Sequence, residues 1–144
     1  MKNKKGFTLV ELLAVIVILA VVILIAVTAV IPRMNNAKKN AFVDEAQAYV
    51  KAAQEAAVAY QVDNPGGSAP TCVKVSYLNG NYIEKKGTAY TGYITLNGSN
   101  ATINLSSSKY TIDGKAANGL KPSDVENYKS SFTTAMPNDC YPTE

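Results

Sequence analysis

The chain has 144 residues, of which 47% are hydrophobic, and this length suits one small domain with an appendage rather than two domains. It contains no histidine, which excludes imidazole-based catalytic triads and histidine metal sites. Three of its 14 basic residues are Lys2, Lys4 and Lys5, so residues 6–144 carry 14 − 3 = 11 basic against 11 acidic side chains. This balance leaves little electrostatic basis for nucleic-acid binding.

A long apolar segment follows the basic start. Leu12–Val27 is a run of sixteen residues without a polar side chain, and beyond Thr28 the apolar run continues to Ile31. The twenty residues from Leu12 to Ile31 span roughly 30 Å at about 1.5 Å per residue, which is the thickness of a hydrocarbon core. A lone strand in lipid would leave its backbone unpaired, so the segment predicts a transmembrane helix. By the positive-inside rule the lysines stay cytoplasmic and the rest of the chain lies outside.

Two simple interpretations of this segment leave Glu11 without a purpose. A secretory signal cut near Ala26 or Ala29 normally has an apolar region of about 7–15 residues, which is shorter than this one. A plain signal anchor accounts for the hydrophobicity. Neither interpretation gives a reason for a carboxylate at the head of the apolar run, because an acidic group in a membrane span is costly and usually has a partner.

A third interpretation rests on the sequence of residues 4–13. These residues, Lys-Lys-Gly-Phe-Thr-Leu-Val-Glu-Leu-Leu, resemble the prepilin cleavage and methylation signature of type IV pilins and type II secretion pseudopilins. The resemblance implies that a prepilin peptidase cuts between Gly6 and Phe7 and that the new amino group of Phe7 is methylated. Glycine resists helix formation, so the backbone at Gly6 can open for a protease.

Cleavage would give Glu11 two alternative partners. One is the amine of Phe7 in the same chain, four residues away, together with the favourable field of the helix N-terminus. The other is the Phe7 amine of a neighbouring subunit. That second pairing would set the register of a helical polymer, because a slip leaves both charges unpaired in an apolar medium. Similarity to pilins favours the second partner.

The helix is expected to continue past the apolar segment. Pilins often carry a proline near the place of Thr28, whereas here the proline is Pro32, which should kink or melt the helix near Ala29–Ile31. Beyond it, apolar or small residues recur every three or four positions and predict an amphipathic stalk helix that ends at residues 63–67. The stripe consists of Phe42, Ala46, Tyr49, Ala53, Ala56 and Tyr60, with Lys38, Lys39, Glu45, Lys51 and Glu55 on the other side.

The remaining residues predict a small, mainly β head. Residues 93–105 form a hairpin candidate around Asn97–Asn100, with Tyr110–Ile112 as a third strand. Residues 72–78 alternate weakly and precede an Asn-Gly turn signal, and Ser123 to Glu126 resembles a capping box that would start a short helix running to about Lys129.

The two cysteines, Cys72 and Cys140, lie where the chain would face an oxidising exterior. Pairing is the natural interpretation, and two buried free thiols are the alternative. A bridge would close a loop of about 69 residues and contribute roughly 4 kcal/mol.

The expected fold is therefore α+β, with a long N-terminal helix and a small antiparallel sheet. The expected parts are a cleaved leader (1–6), a transmembrane and assembly helix (7–31), a stalk helix (32–62) and a globular head (68–144). We find no catalytic constellation, cofactor or metal ligand set, and Lys74, Lys85 and Lys86 are interpreted as solvated charges.

The resemblance implies a structural subunit of a type IV pilus filament, held in the cytoplasmic membrane as a single-pass precursor and then exported into a cell-surface or periplasmic fibre. Its partners would be a prepilin peptidase, other copies or related pilins, the membrane, and the assembly machinery of a pilus or secretion system. The alternatives are a pseudopilin of a type II secretion or DNA-uptake system and a membrane-anchored extracellular binding domain.

Overall fold

A computed structural model describes residues 6–84 and 90–143, and its architecture confirms the α+β class. The long helix precedes a five-stranded antiparallel sheet whose strands follow one another in sequence order. The elements are α1 (Leu9–Asp63), β1 (Cys72–Lys74), α2 (Val75–Asn81), β2 (Thr91–Asn97), β3 (Asn100–Ser106), β4 (Tyr110–Ala116), a 3₁₀ turn (Pro122–Asp124) and β5 (Glu126–Asn127).

The chain divides into two compact units, one that ends at Ala37 and one that begins at Lys38. Helix α1 contributes to both units. The four predicted parts of the chain stay predictions, and the leader lysines lie outside the described residues.

Within the second unit, α1 buries the predicted apolar stripe against the sheet. Residues three or four apart share one helix face, and Phe42, Ala46 and Tyr49 are all buried there. They join a core that includes Ile94, Ile103, Leu105 and Ile112 from the sheet. The polar side of the helix also ties the two layers together, because Gln47 Nε2 donates to the carbonyl of Ala117 at 2.7 Å.

The β2–β3 hairpin follows the prediction. Asn97 pairs with Asn100, which leaves Gly98 and Ser99 as a two-residue loop. Gly98 has a φ of 58° and Ser99 has no positive φ, which is the pattern of a type II′ turn. Ile94 faces Ile103 across the ladder, so the alternation predicted from the sequence places apolar side chains on the helix-facing side.

Two local predictions are wrong. The weak alternation of residues 72–78 indicated a strand, but only β1 is one. From Val75 the chain forms α2, in which Val75 and Leu78 are buried in the core at helical spacing. The expected helix from Ser123 to Lys129 is a three-residue 3₁₀ turn followed by β5. There the main-chain pairing of Glu126 with Thr111 in β4 prevails over a local helix, as tertiary contacts often override short-range propensity.

The C-terminal segment (128–143) crosses the sheet face opposite α1, which we call the outer face. Cys72 and Cys140 form a disulfide with their Cα atoms 4.5 Å apart, as expected from the sequence. Tyr141 then adds main-chain hydrogen bonds of 2.8 Å to both Cys72 and Lys74, so this segment also covers the free edge of β1. The small sheet is therefore covered on both faces, by α1 on one side and by the chain's own C-terminal segment on the other.

Two tyrosines at the helix–sheet contact link stability to alkaline pH. Burial, aided by the charge of Glu45, raises the pKa of Tyr49 to about 12. Burial and a hydrogen bond to Glu45 raise the pKa of Tyr90 as well. Since an unfolded tyrosine ionises near pH 10, the folded state holds more protons above that pH, and the free energy of unfolding falls as pH rises from about 10 towards 12.

We therefore expect Tyr49 and Tyr90 to be the last tyrosines to ionise when phenolate absorbance is followed from pH 8 to 13. A Tyr90→Phe variant should show one fewer late-ionising group. Simultaneous ionisation of all nine tyrosines near pH 10 in the folded protein would contradict this assignment.

Candidate functional site

The predicted cleavage position lies just ahead of the long helix. Gly6, Phe7 and Thr8 are non-helical and exposed, and α1 begins at Leu9. The side chain of Phe7 is 86% exposed, and a Cβ added at Gly6 would meet no atom within 4 Å. Among the described residues, none covers the Gly6–Phe7 peptide bond with a side chain, and the bond lies outside the helical hydrogen bonding of α1. A non-helical, accessible backbone of this kind is what a protease needs to bind before it cuts. Cleavage itself stays a prediction.

Thr8 and Glu11 form a capping box at the start of α1. The Thr8 amide donates to Glu11 Oε2 at 2.8 Å, and the Thr8 hydroxyl donates to the same oxygen at 2.9 Å. In return the Glu11 amide reaches Thr8 Oγ1 at 3.3 Å. A threonine N-cap followed three residues later by glutamate satisfies backbone groups that would otherwise lack a partner at the helix start.

The position of Phe7 bears on which amine can pair with Glu11. The same-chain alternative assumed that Phe7 lies one helical turn before Glu11, but Phe7 precedes the helix. In the described precursor, Oε2 of Glu11 accepts both bonds from Thr8. Its other oxygen, Oε1, lies on an exposed side chain at the helix start, where a second donor can approach.

The role of Thr8 was missed in the sequence analysis, although the signal was present. Threonine and glutamate three residues apart, directly before an apolar helical run, are the sequence pattern of a capping box. That pattern was noted at Ser123, where the structure does not form it, and was not noted at Thr8, where it does. The assembly role predicted for Glu11 is not tested by this contact.

From Leu12 to Ile31 the exposed side chains of α1 are apolar apart from Thr28. Side chains such as Leu12, Ile18 and Leu24 are each more than half exposed, on all sides of the helix. Moving such a set of side chains from water into an apolar medium is worth on the order of tens of kcal/mol. By length and composition α1 is able to cross a membrane, and it fits a membrane-anchored precursor.

Pro32 lies inside α1, and the helix continues through it without melting at Ala29–Ile31. Proline has no amide hydrogen, so the carbonyl of Thr28 loses its usual i+4 donor. The Thr28 hydroxyl also bonds back to the Ile25 carbonyl at 2.9 Å, a contact that can bend a helix. A kink at Pro32 stays a prediction.

The other candidate groups belong to different parts of the chain. Lys74 lies on β1 in the second unit, and Lys85 and Lys86 lie outside the described residues. Among residues 6–84 and 90–143, no group of three or more cysteine or acidic side chains is arranged to hold a metal ion.

One comparison with known proteins gives a result. Residues 1–27 match the prokaryotic N-terminal methylation motif, the signature of type IV pilins and pseudopilins. No curated protein and no solved structure matches the chain. The matched region contains Gly6, Phe7, Thr8 and Glu11, so it coincides with the helix start described above, and the chain carries the features of a pilin-like precursor.

Proposed function

We propose that this chain is a structural subunit of a type IV pilus-type filament, made as a membrane-anchored precursor and polymerised through α1. A prepilin peptidase cuts after Gly6, the Phe7 amine is methylated, and assembly machinery transfers the subunit from the membrane into the fibre. The chain catalyses no reaction in this process and is itself the substrate of the peptidase. The match over residues 1–27 and the apolar surface of α1 support this function.

The observation that carries the proposal is the carboxylate of Glu11, which lies near the start of α1 directly before residues 12–32, a stretch without another charged side chain. Thr8 fixes one oxygen of this carboxylate within the chain. An ionised carboxylate at the edge of an apolar, membrane-spanning segment remains costly unless an opposite charge balances it. Cleavage after Gly6 creates a positive amine close to the same helix end, so each copy then offers one acid and one amine.

Pairing between copies explains how such charges specify a polymer. If Glu11 Oε1 accepts the Phe7 amine of a neighbouring copy, every interior subunit has its acid and its amine satisfied. An axial slip breaks both pairs at once, and breaking a buried ion pair costs about 3–5 kcal/mol. The apolar side chains supply the cohesion of the helix bundle, and the ion pairs select its register.

The processing step is tested by intact-mass and peptide mass spectrometry of the chain from cells that contain a prepilin peptidase. We expect a mature protein that begins at Phe7 and carries one methyl group on its α-amine. A Gly6→Leu variant is the matched control and should keep Met1, because a bulky side chain replaces the open backbone at the cut. A wild-type chain that keeps Met1, or one that begins near residue 30, would contradict the proposed processing.

A further inference from the structure

A groove of about 440 Å³ opens on the outer face of the sheet, within the second unit. It forms because β1 ends at Lys74 while β2 begins at Thr91 and extends beyond the last β1 pair, Lys74 with Tyr93. The chain leaves the sheet at Val75 to form α2, so the Thr91–Gly92 end of β2 has no β1 neighbour. The C-terminal segment supplies the opposite wall, with Phe132, Thr134 and Met136.

Both walls are held in place by the protein's own contacts. The Tyr93 hydroxyl donates to the carbonyl of Thr134 at 2.9 Å. The Thr133 amide donates to Asp113 at 3.0 Å, and the Cys72–Cys140 disulfide anchors the far end of the segment. The groove is therefore preformed, and a ligand would not have to order its walls on binding.

The floor of the groove depends on Gly92. Its φ of 128° is in the region that favours glycine, and an added Cβ would lie 2.0 Å from the Asn104 carbonyl oxygen and 3.0 Å from the Phe132 ring. The missing side chain lets the ring approach the sheet closely. Phe132 in turn meets Tyr93 edge to face, with ring centroids 5.9 Å apart, so the interior presents aromatic surface.

The Asp113 carboxylate that anchors Thr133 lies 3.8 Å from Lys129 Nζ, so a cation already partners it. Among the described residues that line the groove, Lys74 is the only charged one. Hydroxyl groups of Ser76, Thr91 and Ser131 provide further hydrogen-bonding capacity around the rim. An apolar interior with a few polar groups and a volume of 300–1,000 Å³ is typical of small-molecule sites.

We propose that this groove binds a small aromatic carboxylate, with the ring against Phe132 and the carboxylate at Lys74 Nζ. The ligand matches the groove in charge and in shape. Lys74, the cation among the described lining residues, calls for an anion, and the aromatic surface of Phe132 calls for a flat apolar body. The groove faces away from α1, so this binding does not depend on the proposed filament function.

The test uses the full chain in lipid nanodiscs, with ¹³C-methyl-labelled methionine as the reporter. The sequence has three methionines, of which Met136 lines the groove and Met34 lies in α1. The probes are 3-phenylpropionate and its uncharged analogue 3-phenylpropan-1-ol. We expect the acid to shift the Met136 signal saturably, with weaker binding of the alcohol, while Met34 reports non-specific partition into lipid.

Two variants and one control separate charge from shape. Lys74→Gln should weaken binding of the acid by about fivefold and leave the alcohol unchanged. Ala135→Trp, at an exposed position, should fill the groove and remove binding of both probes, whereas Lys121→Gln outside the groove should change neither. The proposal is overturned if Met136 shows no saturable shift, if acid and alcohol bind equally well, or if Lys74→Gln leaves the affinity for the acid unchanged.

Discussion

Replacing Glu11 by valine is expected to reduce filament yield by about a hundredfold or more while membrane insertion of the precursor stays intact. Valine removes a group that is costly in lipid, so insertion is not impaired. Assembly fails because the Phe7 amine of each neighbouring copy loses its acid and is left unpaired in an apolar bundle. A loss of about 3–5 kcal/mol per broken buried pair lowers the equilibrium constant of each association step by more than a hundredfold.

Glu11 also caps its own helix, so the variant must be accompanied by controls that separate the two roles. Glu11→Gln keeps an oxygen for the bonds from Thr8 and removes only the charge, since glutamine also serves in a capping box. We expect it to be as defective as Glu11→Val. Thr8→Ala keeps the charge and weakens the cap by about 1 kcal/mol, so its filament yield should fall tenfold at most.

Glu55→Gln removes an exposed carboxylate from the amphipathic part of α1 and should assemble normally. Filaments counted by electron microscopy and membrane content measured by immunoblot give the two readouts. Normal fibres from Glu11→Gln would show that charge pairing does not set the register.

Removing the disulfide is expected to destabilise the head by about 4 kcal/mol. The bridge joins residues 68 apart in sequence, and the chain entropy that it removes from the unfolded state accounts for this amount. Small domains have total stabilities of roughly 5–15 kcal/mol, so the Cys72→Ala/Cys140→Ala double variant should unfold at a far lower urea concentration. Near-ultraviolet circular dichroism of the tyrosines follows the transition.

The loss should be concentrated at the outer face. Without the bridge, the C-terminal segment keeps shorter-range tethers such as the Thr133–Asp113 hydrogen bonds, so its proteolysis should increase before the core unfolds. Asp113→Asn is the comparison variant, because it weakens hydrogen bonds to a charged group, worth roughly 1.5–3 kcal/mol each, and leaves the disulfide in place. A double variant whose urea midpoint equals that of the unaltered chain would contradict the stabilising role of the bridge.

Sequence reasoning was most successful where the signal was local or periodic. Examples are the apolar run, the stripe through Phe42 and Tyr49, and the hairpin around Gly98. Each is indicated by the spacing of residues that lie close together in the sequence. The pairing of Cys72 with Cys140 was favoured by the expected exterior location, and the structure contains it.

The failures arose where a long-range contact competes with a local one. Residues 126–127 form a strand because β4 offers a free edge, and Val75 enters a helix because the core takes the side chains of Val75 and Leu78 at helical spacing. The sequence around these residues does not indicate that β4 or the core will lie beside them. The groove at Lys74 was beyond prediction for the same reason, since its walls come from segments nearly sixty residues apart in sequence.

The most direct test of the account is solid-state NMR of filaments assembled from two separately labelled pools of subunits. One pool carries ¹⁵N-phenylalanine, which labels the Phe7 amine, and the other carries glutamate labelled with ¹³C at the side-chain carboxylate. Because no molecule contains both labels, a through-space correlation between the amine and a carboxylate reports contact between different copies only. The account predicts this correlation in the mixed filaments. It predicts that the correlation disappears when the ¹³C-labelled subunits carry a neutral residue at position 11 and are assembled together with an excess of wild-type subunits. Filaments that give the correlation only when both labels are in the same molecule would contradict it.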